Sequence, residues 1–80
     1  MRGAPVSAEG RHPATQQIAR WFTFDHLKES LRPPSFACAE LAQEMIDTLP
    51  DGPELSAGLR KLLEAKDCFV RAAITATDKP

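Results

Sequence analysis

The sequence predicts an all-α protein, and three observations point there. Strand formers are scarce: tyrosine is absent, valine and isoleucine total five, and no stretch alternates apolar with polar residues as a half-buried strand does. Two segments repeat their apolar residues at helical spacing. The seven prolines and four glycines gather at the ends and in two joints, which leaves room for a few long elements.

An N-terminal helix opens at His12-Pro13, because proline has its φ already set for the first helical position. Ala14, Ile18, Trp21 and Phe22 then fall at i, i+4, i+7 and i+8, so Trp21 and Phe22 are expected in the core. Near Thr23 to Asp25 the helix is expected to bend or restart, with Asp25 capping a short turn that carries Leu27 and Leu31. Arg32-Pro33-Pro34 is expected to end that turn. The second helix runs from Ser35, as N-cap, to Leu49. Cys38, Leu41, Ala42, Met45, Ile46 and Leu49 form its apolar stripe, while Glu40, Gln43, Glu44 and Asp47 give it an acidic outer face.

Pro50-Asp51-Gly52-Pro53 reads as a turn in which Asp51 caps the next helix and Glu54 reaches back to it. The third helix runs from Glu54 to Ile74 and completes a helical hairpin. Its stripe is Leu55, Leu59, Leu62, Leu63, Phe69, Val70 and Ala73, broken by Lys66. At 1.5 Å per residue it measures about 30 Å against about 22 Å for its partner, so Phe69 and Ile74 need cover from the first helix or from a neighbouring subunit. Residues 1–11 read as a flexible arm, 12–74 as one helical domain and 75–80 as a flexible tail.

The core is thin. The chain has 80 residues, and twelve of its hydrophobic residues are alanine, so a homo-oligomer is the expected remedy for a domain this size. A net charge of −1 argues against a DNA-, RNA- or membrane-surface binder, which neutralises phosphates with excess Lys and Arg. No apolar run approaches a membrane span, and MRGAPVSAEG lacks a secretory core. A cytoplasmic protein with reduced Cys38 and Cys68 is expected.

Catalysis and metal binding find no support in the residue pattern. No Cys and His pair comes with a third orienting group. Paired His or Cys spacing for a metal is missing, as is any glycine-rich phosphate loop, so neither enzyme nor cofactor is expected. Four cations, Arg60, Lys61, Lys66 and Arg71, lie within twelve residues of the third helix. Arg60 with Glu64 and Asp67 with Arg71 have the spacing of surface ion pairs. Lys66 differs because it sits on the stripe, where its ammonium needs an anion or a route to water; a snorkelling lysine is the plain alternative. Trp21, Phe22 and Phe24, followed by His26 and flanked by Arg20, Lys28 and Arg32, could stack on a base while binding phosphate. Core packing is the ordinary role of Trp21 and Phe22, and Phe24, at the break, is less committed to it.

The phrase LRKLLEAKDCFVRAA, with LPDGPEL and RWFTFDHL before it, is similar to small proteins of tailed phages infecting actinobacteria. The hairpin ending in Leu62, Ala65, Phe69, Val70, Arg71 and Ala72 resembles the hairpin domain of phage anti-CBASS and anti-Thoeris sponges. That resemblance implies a non-enzymatic protein that assembles into oligomers, often hexamers, in the infected bacterial cell. It implies sequestration of cyclic di- or trinucleotides or a cyclic ADP-ribose relative, with Lys66 and Arg71, helped by Arg60, on phosphates and Phe24 with His26 near a base. The tyrosine-containing segment of many sponges has no counterpart here. Two other functions compete: a helical adaptor that binds a host protein through the third helix, and a helix-turn-helix DNA binder, which the acidic second helix disfavours.

Overall fold

The computed structural model describes residues 6–23 and 27–78. Among them the regular structure is entirely helical: α1 (Pro13–Ala19), a 3-10 turn (Glu29–Leu31), α2 (Arg32–Thr48) and α3 (Pro53–Asp78). α2 and α3 form the expected antiparallel hairpin, and α1 and the 3-10 turn pack on α3 as well. α3 is therefore the spine of the molecule. Its 26 residues exceed the 17 of α2 by nine, an overhang of about 13 Å, and the molecule is elongated at 45 × 24 × 17 Å.

α1 begins as expected. His12 is its N-cap and accepts from the Ala14 N–H through Nδ1 at 3.0 Å, with Pro13 in the first turn. It stops at Ala19, and the Trp21 and Phe22 N–H groups close 3-10 bonds to Ile18 and Ala19. This tightening ends the 3.6-residue period. Phe22 enters the core with no exposed surface, whereas Trp21, expected beside it, swings out and stays 59% exposed.

The second correction concerns Arg32-Pro33-Pro34, which opens α2 instead of ending the preceding turn. The first turn of a helix has unpaired N–H groups anyway, so prolines are tolerated there. Ser35 is consequently not an N-cap; it is buried inside the helix and donates from Oγ to the Thr23 carbonyl at 3.0 Å. The buried stripe of α2 is Ser35, Cys38, Ala39, Ala42 and Ile46, and the expected stripe residues Leu41 and Leu49 are exposed. Small residues dominate this stripe, which lets α2 lie close to α3.

The amino-terminal segment also differs from expectation. Residues 6–11, assigned from sequence to a flexible arm, pack along α2: Ala8 is buried and Val6 lies against the core. Ser7 and Gln43 exchange two hydrogen bonds, at 2.7 and 2.9 Å. A turn follows in which Arg11 N–H donates to Ala8 O at 3.0 Å and Gly10 takes φ +80°, the third position of a type II turn, where glycine has no Cβ to clash. Arg11 then reaches the end of α2, donating to the carbonyls of Ile46 and Leu49 and to Asp51. Asp51 does not act as a simple cap for α3. It gathers Arg11 Nε at 3.1 Å and the His12 N–H at 3.1 Å, joining the hairpin turn to the start of α1. At the other end α3 continues to Asp78, past Ile74, into the stretch read as a tail.

Candidate functional site

Lys66 lies on the buried stripe of α3, as its spacing predicts, and only 9% of it is exposed. Burying an ammonium without a partner would be costly. Its partner is the Trp21 carbonyl, to which Nζ donates at 3.1 Å. Lys66 thus closes the end of α1, where carbonyls lack helical partners and positive charge is favoured. The contact is available because α1 stops at Ala19. Asp67 Oδ1 stands 3.8 Å from the same ammonium on the solvent side, and one hydrogen bond occupies only one of the three donors.

Lys66 and Arg71 meet in one shallow hollow of about 210 Å³, lined also by Leu27, Asp67 and Val70. Two of the residues singled out from sequence are therefore brought together. Arg71 donates from one guanidinium nitrogen to Cys68 Sγ at 3.3 Å, a weak acceptor that leaves most of the fork uncommitted. The ion pairs expected from spacing, Arg60 with Glu64 and Asp67 with Arg71, are not formed among the described residues. Arg60 is exposed on α3 and lies outside the hollow. Phe24 and His26, along with the proposed cap Asp25, fall outside the described residues.

Sequence reasoning missed two features of this region. Trp21, whose carbonyl Lys66 holds, has an exposed side chain with the Arg20 guanidinium 5.5 Å from its ring centre. The signal that could have found it is the shortness of α1. Leu27, expected only as part of a short turn, also lines the hollow. Farther along α3, Phe69 and Ile74 are 52% and 40% exposed, while Val70 and Ala73 are half-buried; these are the residues of the overhang.

Other regions offer less. The outer face of α2 presents Glu40, Glu44 and Asp47 around a shallow depression, an arrangement that repels anions. Cys38 is buried, and desolvation pushes its thiol up despite the opposing charge of Lys66, so it is a poor nucleophile. Among the described residues no three metal-ligating side chains converge, and no helix is long and apolar enough to cross a membrane. The chain matches no family model, no curated protein and no solved structure.

Proposed function

We propose that the chain is a non-catalytic binding protein that associates with copies of itself along the overhang of α3 and holds an anionic nucleotide at Lys66 and Arg71. The observation that carries this reading is the hollow itself, where two cations meet beside Leu27 and Val70 at the base of an exposed apolar helix end. A near-neutral chain can bind a dianion or trianion if each copy contributes one or two cations and symmetry repeats them. The resemblance to phage sponges adds the ligand class, cyclic di- or trinucleotides or a cyclic ADP-ribose relative. It also adds the setting, the cytoplasm of an infected bacterium, and a hexamer as the favoured assembly. In this role the protein lowers the free concentration of an immune signal by binding it, and no bond is broken.

Calorimetry against cyclic di-AMP, cyclic di-GMP, cyclic GMP-AMP, cyclic tri-AMP and cyclic ADP-ribose tests the proposal. Saturable heat with at least one of them is expected, weakened in Arg71→Ala. A folded protein that gives no heat with any of them refutes it. One observation favours a second reading: the far part of α3 exposes the large apolar side chains Phe69 and Ile74, and exposed apolar surface is what a partner protein covers. A helical adaptor of this kind would capture one defined host protein in a pull-down, lose it on Phe69→Asp, and remain silent in the calorimeter.

A further inference from the structure

We infer that α3 pairs with α3 of a second copy, antiparallel about a two-fold axis, along a seam formed by Gly58, Leu62, Ala65, Phe69, Ala72 and Ala76. This rests on the self-association reading above and assigns it a surface and a register. The six residues follow one another at alternating steps of four and three, the repeat that keeps one edge of a helix turned toward a partner helix. They lie beside the stripe that α3 buries within the chain, Leu55, Leu59 and Lys66. Gly58, Phe69, Ala72 and Ala76 are exposed, and Leu62 and Ala65 are half-buried. A Cβ added at Gly58 would meet nothing within 4 Å, so the near end of the seam is open as well as the overhang. No charged residue stands on it, whereas Arg60, Glu64, Asp67 and Arg71 share another edge of the same helix.

The order of side chains along the seam selects the occupant. Reversing the helix sets Gly58 opposite Ala76, Leu62 opposite Ala72 and Ala65 opposite Phe69, and the two-fold repeats each pair. Both large side chains then meet alanine, so they interdigitate while the backbones come close. A parallel pair would put Leu62 on Leu62 and Phe69 on Phe69, with gaps where glycine and alanine face themselves. Charge agrees with the reversed register. α3 has no basic residue in its last turn, and the pairing brings the exposed Lys61 of each copy beside Thr75 in that turn of the other, where a cation is favoured. The Lys66 and Arg71 hollow, with Asp67 and Val70, lies on a different edge of α3 and stays open. The contact is one helix wide and about 27 Å long, at the small end of stable interfaces, so the pairing should depend on concentration.

Cysteine pairing reads the register. In the full chain carrying Cys68→Ser, which removes the exposed thiol and leaves the buried Cys38, Gly58→Cys and Ala76→Cys are introduced singly and together, and each protein is oxidised with diamide. The double variant should form a disulfide-linked dimer on a non-reducing gel, and neither single variant should, because each new thiol faces the other position. Light scattering runs alongside. The wild type should show a native mass of at least twice 8.8 kDa, and Ala72→Arg, which sets a charge against Leu62, should lower it with helix content unchanged. A dimer from Gly58→Cys alone would mean a parallel pair and overturn the inference. A multiple mass that ignores Ala72→Arg, with no link in the double variant, would move the contact to another surface and leave self-association standing. A wild type that stays at 8.8 kDa at every concentration would remove both.

Discussion

Replacing Arg11 with alanine removes a side chain that ties the amino-terminal segment to the far end of α2. Its guanidinium donates to the carbonyls of Ile46 and Leu49 and to Asp51, and its side chain is 20% exposed. The two carbonyls lie at the C-terminal end of α2, where backbone acceptors lack helical partners and a cation is favoured. A hydrogen bond from a charged donor contributes about 1.5–3 kcal/mol when buried; at this partly exposed site about 1 kcal/mol for each carbonyl is appropriate, or about 2 kcal/mol together. The Asp51 pair adds little to that sum because the carboxylate is more than a third exposed. For a domain of this size 1 kcal/mol moves the unfolding midpoint by about 4–8 °C, so Arg11→Ala should lower it by about 8–16 °C. Thermal unfolding followed by circular dichroism at 222 nm reads this directly. A loss below about 3 °C, well under this range, would mean that residues 6–11 are not anchored to α2 and would refute the reasoning.

Two further outcomes concern the carboxylates Asp51 and Asp67. Burial raises the Asp51 carboxyl, yet the hydrogen bonds from Arg11 and the His12 N–H, with the nearby positive charge, hold it below its ordinary value. A depressed carboxyl stabilises the fold above its unfolded pKa, and that stabilisation is lost as pH falls through the folded one. The unfolding midpoint should therefore hold steady down to about pH 5 and drop below about pH 4, with a shallower acid drop in Asp51→Asn; identical profiles would show that Asp51 is not the group responsible. Asp67 stands beside Lys66 in the hollow and repels an anion. Asp67→Asn should tighten nucleotide binding by about two- to fivefold, the scale of an exposed charge interaction, and unchanged or weaker affinity by calorimetry would place the ligand elsewhere.

Much of the fold was legible because helical periodicity reports burial directly. The hairpin, its turn at residues 50–53, the start of α1 at His12-Pro13 and the length mismatch of α3 all follow from apolar spacing and proline placement. Arg32-Pro33-Pro34 misled because a proline that cannot continue a helix can equally begin one, and the choice depends on Leu27 and Thr23 carbonyls that Arg32 and Ser35 reach only in the folded chain. Trp21 misled because the period was carried past the point where α1 tightens and stops. Residues 6–11 have no periodicity to read; what orders them is a reciprocal pair with Gln43 and the reach of Arg11 across 35 residues of sequence. In the candidate site, Lys66 was legible as a cation on an apolar stripe. Its partner was not, since a backbone carbonyl 45 residues away leaves no mark in composition or spacing.

The central claim is that the overhang of α3, with Phe69 and Ile74 exposed on it, is covered by other copies of the chain. Light scattering coupled to size exclusion, at micromolar concentration, measures this most directly. The account predicts a native mass that is a multiple of 8.8 kDa and that falls on Phe69→Asp while helix content is kept. A wild-type mass of 8.8 kDa across the accessible concentration range would contradict it.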